Sequence, residues 1–447
     1  MTPRQTRLLV VMALAVLAML GFLGWTVWST LNAPVNTVSL LPTPLPPSPT
    51  PTPTRDPFTL TPSPTPPFEM RETGEIAAAV AQARELLPRW ETPFNFVSEY
   101  ELSIILHYRY QTVQPFPVRE QRTLQILDLW PEGPVSVDAV AQAKSAAALY
   151  LPEEEQLYLR RDWTGSADNL RKLLAYSFAR AIPEQHGNLQ RLRADAPTLD
   201  QRLALDAVAE GDAWFSLTRY VGLAPDDPAT AELSALIARA AYPQWRAQDP
   251  LVFDLNWLAL KMGAHFAAAR YAQGGIPALD EALRRPPRST EQLLYPDRYA
   301  ADDRPMLVEP VTPPLGRGWQ ITLTETLGAA MMQVMLETVL PPNSFAVEGW
   351  GGDLIQVWEG PDGARLYIWQ TVWDSGSAAA VMVSPFKTLL PQRVAATGTS
   401  VLPAGLPRGQ WWTGRRGGAF FYRTANHIWL IWGDDPDVVK AATSIIP

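Results

Sequence analysis

The chain has 447 residues, 47% hydrophobic and 10% aromatic, with 44 prolines, no cysteine and a formal net charge of −8. Its length allows two or three domains with sizeable cores, and the lack of cysteine excludes disulfides, thiolate metal sites, thiol catalysis and lipobox-type lipid attachment. Residues 1–67 hold three arginines and one aspartate, so the rest carries about −10, which argues against nucleic acid or an anionic lipid face as partner of the folded part.

Arg4 and Arg7 precede Leu8–Trp28, 21 residues without a charge. As a helix this run spans about 30 Å, enough to cross a bilayer core. It is long for a signal peptide, and Leu31-Asn32-Ala33 is a poor cleavage site, so the sequence predicts an uncleaved, single-pass signal anchor in the cell membrane. Residues 1–7 then lie in the cytoplasm and everything after the span lies outside. Trp25 and Trp28 suit the outer interface. Residues 29–67 read as a disordered stalk, because Pro42–Pro67 holds twelve prolines, seven threonines and two serines and cannot build a core. Extended at about 3.1 Å per residue, that stretch reaches roughly 80 Å toward a cell wall.

Folding resumes near Phe68, and residues 68–307 read as mainly helical. Glu75–Leu87 is a helix stopped by Pro88. Ser98 and Glu101 form a capping box for a helix to about Tyr110, with strand as a rival over Ile104–Tyr110. Arg119–Trp130 and Val137–Lys144, the latter capped by Ser136, are further helices, and Ala147–Leu151 with Gln156–Arg160 reads as a hairpin. A helix at about 168–182 follows, capped by Asp168 or Ser166, with Pro183 expected to stop or kink it. Thr198 with Gln201 starts a long helix to about Val221. Asp226 caps Pro228–Ala241, Val252–Ala272 is a helix ended by Gly274-Gly275, and Ser289 with Gln292 caps a short one.

Residues 308–447 differ. Nine of the seventeen tryptophans lie between Trp319 and Trp432. Strands are predicted at Leu354–Trp358, Arg365–Trp373, Gly409–Trp412, Ala419–Arg423 and His427–Trp432, with helices at Thr324–Leu340 and Ser377–Leu389. The reading is a small antiparallel sheet with helices on one face. The whole is therefore predicted to be α+β: a transmembrane helix and disordered stalk, a mainly helical region with a short hairpin, and a smaller antiparallel-sheet region.

On the helix at 168–182, Tyr176 and Arg180 are four apart on one face, with Ser177 beside them. Several phrases resemble a family of bacterial extracytoplasmic zinc metallopeptidases, whose members carry an HEYTHALQDQHFDL-like helix, then EGDA, PP-x-STEQ and GWGGD phrases. This chain has YSFARAIPEQHGNL (Tyr176–Leu189), EGDA (Glu210–Ala213), PPRSTEQLLYPDRY (Pro286–Tyr299) and GWGGD (Gly349–Asp353), preceded by ALYLPEEEQLYL (Ala148–Leu159). Order and spacing agree over roughly Ile76–Pro391. The resemblance implies a zincin-like helical domain in which two histidines bind zinc, a glutamate acts as general base, and the EGDA glutamate, Glu210 here, is a further ligand. The histidine positions are Tyr176 and Arg180 and the base position is Ser177, so no metal, cofactor or catalytic residue is expected. An Arg180–Glu210 salt bridge is predicted in place of the metal contact.

The resulting expectation is a pseudo-metallopeptidase: a membrane-anchored, extracytoplasmic binding or scaffold module for a peptide, a protein or the cell wall. Its expected cleft is Tyr176, Arg180, Glu184, His186 and Glu210. A hydrolase with an altered site, or a glycan or cell-wall binder using the aromatic C-terminal strands, are the alternatives. His107, His265 and His427 are scattered, no G-x-S-x-G phrase is present, and Gly349–Asp353 reads as a turn rather than a phosphate loop.

Overall fold

The computed structural model describes residues 70–112, 118–131, 136–224, 227–246, 254–342, 344 and 346–447. The predicted membrane span, the stalk, Phe68 and the Asp226 cap lie outside them. Among the described residues no helix is long and apolar enough to cross a membrane.

The chain begins with helix α1 (Met70–Arg84), strand β1 (Phe94–Val97) and helix α2 (Glu99–Thr112). The capping box at the start of α2 forms: Glu101 accepts from the Ser98 N–H at 2.6 Å, and Ser98 Oγ accepts from the Glu101 N–H at 3.2 Å. Helix therefore prevails over strand at Ile104–Tyr110, since a satisfied N-terminus sets the backbone before side-chain preference acts. Helix α3 (Val118–Ile126) and the short strand β2 (Ser136–Val137) lead into helix α4 (Ala139–Ser145). The cap of α4 is Asp138, accepting from Ala141 N–H at 3.0 Å, not Ser136, which pairs in β2. The hairpin forms as β3 (Ala148–Leu151) and β4 (Gln156–Arg160), and β1 adds to it in parallel, giving the order β1-β4-β3.

Helix α5 (Ala167–Gly187) starts at Ser166, whose hydroxyl accepts from Asn169 N–H. It does not stop at Pro183. That residue forgoes one bond, to the carbonyl of Ala179, but is buried with its neighbours Ala181 and Ile182, and their packing carries the helix one turn further. Asn188 ends it in a left-handed conformation (φ 51°) and opens α6 (Leu189–Asp195). Helix α7 (Leu199–Val221) has the expected Thr198 cap and ends at left-handed Gly222. Then come α8 (Ala229–Ala241), the two-residue strand β5 (Trp245–Arg246) and α9 (Leu255–Arg284). The break at Gly274-Gly275 is present, with Gly275 at φ 63°, but a second helical segment continues beyond it. Helices α10 (Thr290–Leu294) and α11 (Pro296–Ala300) follow. At α10 Ser289 makes no side-chain cap bond, and Gln292 accepts from the Arg288 N–H instead.

The C-terminal part comprises β6 (Gln320–Glu325), α12 (Gly328–Glu337), β7 (Trp350–Glu359), β8 (Arg365–Trp373), α13 (Gly376–Val381), α14 (Val383–Arg393), β9 (Gln410–Gly414), β10 (Gly417–Arg423), β11 (His427–Gly433) and α15 (Pro436–Ala442). The strands form one six-stranded sheet, order β6-β7-β8-β11-β10-β9, antiparallel throughout. Thr324 and Glu325 belong to β6 rather than to a helix, and β7 begins at Trp350, so only Gly349 of the GWGGD phrase sits in a turn. The fold is α+β.

Helices cover both faces of this sheet, not one. Trp369, Trp373, Trp412, Phe421 and Leu430 face a core that also holds Leu203 and Val208 of α7, Phe266 of α9 and Met332 of α12. Leu366, Ile368, Phe420, Trp429 and Ile431 face a second core closed by Val439 and Ala442 of α15. A strand such as HIWLIWG is apolar on both sides, so each side needs a cover. The first core crosses residue 307, so the helical part and the sheet share it. Of the nine tryptophans between 319 and 432, seven are buried, and Trp319 and Trp358 are half-buried against the second core.

Candidate functional site

The phrases that carry the resemblance divide by role. In EGDA, Gly211 lies where α7 crosses α9 against Gly263, and Asp212 holds Arg84 of α1, with Nε at 2.8 Å from Oδ2. That arginine is fully buried and its Nη2 also reaches Asp280 at 2.9 Å. In STEQ, Thr290 donates its N–H (2.9 Å) and hydroxyl (2.5 Å) to Asp200 at the start of α7, and its oxygen accepts from Ala330 N–H of α12. Glu291 accepts from the Gly349 N–H at 3.0 Å. Asp353, at the end of GWGGD, accepts four N–H donors: Leu327 and Gly328 of the turn into α12, and the indoles of Trp350 and Trp369. These groups bolt the helices to the sheet. Burial pushes Asp200 up to about 7, Glu291 to about 8 and Asp353, despite its four donors, to about 6.

Glu210 is the member of EGDA that points elsewhere. Continuation of α5 through Pro183 stacks Tyr176, Arg180 and Glu184 at successive four-residue steps on one face, and α7 brings Glu210 against them. The predicted ion pair forms, with Arg180 Nε 3.1 Å from Glu210 Oε1. Glu210 Oε2 accepts from the Tyr176 hydroxyl and, at 2.9 Å, from that of Tyr242, just beyond α8. Arg180 Nη1 lies 3.7 Å from Glu184 Oε1, and Glu184 Oε2 accepts from the Gln190 N–H at 3.0 Å. Burial and the neighbouring Glu210 carboxylate push the Tyr176 phenol well above its usual value, and burial likewise raises Glu184.

A cavity of about 210 Å³ opens beside this cluster, lined by residues of α2, α5, α6, α7, α9 and the β3–β4 turn. Two further pairs form its wall: Arg109 with Glu153, and Arg193 with Asp206 at 2.7 Å. Ser177 reaches the same wall, but its hydroxyl donates to the Leu173 carbonyl at 2.8 Å. His186 does not belong to the cleft. Six residues past Arg180 it is turned about 120° away around the helix, and its Nε2 meets the Leu87 carbonyl at 2.8 Å.

These groups do not suit a zinc ion of the implied type. A guanidinium has no lone pair to give and holds its charge permanently; the Tyr176 phenol keeps its proton, and both hydroxyls at the motif positions already donate within the protein. Among the described residues no group of three His, Cys, Asp or Glu could hold a metal ion. The arrangement can present charge and hydrogen bonds to a small ligand, but it offers no base held beside a Lewis acid.

Sequence reasoning did not find Tyr242, Arg109, Arg193, Asp206 or the cavity role of Glu153. Only the PEEE turn carried a signal, an acidic hairpin tip next to the central helix; the others arrive through tertiary packing.

A family described only as a domain of unknown function (DUF8575) matches residues 320–437, the span from β6 into α15. No curated protein and no solved structure matches the chain.

Proposed function

We propose that this chain is a membrane-anchored, extracytoplasmic, non-catalytic relative of the HExxH metallopeptidases, a binding module carried outside the cell on a Pro/Thr-rich stalk. One observation carries the reading: the Arg180 guanidinium sits on Glu210 at 3.1 Å, so an organic cation fixed in the chain replaces the contact that the resemblance assigns to zinc. The charge balance of the cluster is thereby kept while the electrophile and the base are lost. The cavity left beside the pair favours binding over a purely structural part. The zincin-like descent of the helical region rests on the five phrases and their order.

The test uses full-length protein in detergent, assayed for bound zinc and for cleavage of an unfolded protein substrate. Far less than one zinc per chain and no chelator-sensitive cleavage are expected. Stoichiometric zinc with cleavage abolished by a chelator would establish the hydrolase instead.

A further inference from the structure

We infer that the cavity takes a small organic cation, a primary amine or a guanidine, with its charged end on Glu184. The inference rests on the reading of this site as binding rather than catalytic, and names what is bound.

The wall of the cavity carries three arginines and four carboxylates. Three carboxylates have an arginine of their own: Glu153 has Arg109, Asp206 has Arg193, and Glu210 has Arg180 together with two tyrosine hydroxyls. Glu184 is the fourth. Its side chain is only 9% exposed, and the nearest cation is the arginine already engaged by Glu210, at 3.7 Å, beyond hydrogen-bond range. Oε2 is used by the Gln190 N–H, while Oε1 accepts no hydrogen bond among the described residues. A buried carboxylate whose nearest cation is shared with a second carboxylate and stands out of hydrogen-bond range is costly, and a partner that donates to it directly reduces the cost.

The remaining features fit an amine. Tyr150 lines the same cavity, and its hydroxyl can offer a second acceptor to an ammonium, which has three N–H donors and no acceptor of its own. A carboxylate ligand would meet a wall with one more negative than positive side chain. A volume of about 210 Å³ has room for roughly seven waters and falls below the range of drug-sized pockets. That suits a free small molecule rather than a folded partner.

The experiment compares butylamine, butanol and butyrate, equal in chain length, on full-length protein by calorimetric titration and thermal unfolding. Saturable binding and a raised Tm are expected for butylamine alone. Glu184→Gln, which keeps an oxygen for the Gln190 N–H, should weaken amine binding by roughly tenfold or more. Equal effects from butyrate or butanol, no saturable amine binding, or undiminished binding by the Gln variant would each overturn the inference. Zinc content and cleavage, measured on the same preparation, report on the broader reading separately: a zinc-free, inert protein that ignores butylamine removes this inference and leaves that one standing.

Discussion

Gly211 and Gly263 meet backbone to backbone where α7 crosses α9. A Cβ on Gly211 would stand 2.2 Å from the Gly263 carbonyl oxygen, and one on Gly263 would stand 1.9 Å from the carbonyl oxygen of Ala207. Alanine would gain up to about 1 kcal/mol of helix propensity at either site. The clash is with backbone, however, which cannot rotate away, so the overpacking cost belongs at the upper end of about 1–3 kcal/mol. Gly211→Ala is therefore expected to lower stability by about 1–2 kcal/mol in urea unfolding; an unchanged or higher midpoint would show that the crossing has slack.

The Arg180–Glu210 pair predicts a strong asymmetry between single and double changes. Arg180→Ala leaves a carboxylate 9% exposed with only hydroxyl partners, and breaking such a pair costs about 3–5 kcal/mol. The double variant Arg180→Met, Glu210→Gln removes both charges and keeps an acceptor for the tyrosines, so it should be more stable than Arg180→Ala. Additive losses in the double-mutant cycle would mean that the two residues are not coupled.

Rebuilding the implied motif tests the descent of the central helix. Tyr176→His, Ser177→Glu and Arg180→His together place two imidazoles and a carboxylate on the face opposite Glu210. The triple variant is expected to bind about one zinc per chain by metal analysis, and the native chain far less. A variant with native helix content by circular dichroism that takes up no zinc would count against the register.

Asp200, Glu291 and Asp353 give stability a definite slope with pH. Each has a folded value above its ordinary one, at about 7, 8 and 6, so the folded state holds more protons than the unfolded one in between. Their contribution is complete below about pH 4 and is lost as pH rises through 6 to 8. Asp200→Asn keeps the acceptor for Thr290 and cannot ionise. Between pH 5 and 8 the native protein should therefore lose more stability than this variant, and parallel curves of Tm against pH would refute the assignment.

What could be read in advance was local. Ser98 with Glu101, Thr198 with Gln201, and the Gly274-Gly275 break each act within a turn of chain, and each is found. Pro183 misled because its cost is local while the burial that overrides it comes from elsewhere in the fold. Strand β1 was missed because FNFV is short and gains its pairing from β4, some sixty residues on. At the site, the Arg180–Glu210 pair was legible through register alone. Tyr242 was not, since nothing in its neighbourhood on the chain says that it turns toward Glu210.

The core that crosses residue 307 has a practical side. Residues 320–437, the span with a recognised family match, supply both the sheet and the helices α13 and α14 that lie over Trp369, Trp412, Phe421 and Leu430, with the Phe386 ring edge-on to Trp369. What the upstream chain covers is α12, whose Met331, Met332 and Met335 share their core with Leu203 and Val208 of α7 and Phe266 of α9. A fragment starting at 308 would bare that side of α12 and turn sticky, so indiscriminate adhesion to peptidoglycan or resin by such a piece would report its missing roof and not its biology. Surface swaps made within the intact chain are the sound way to ask what that half touches.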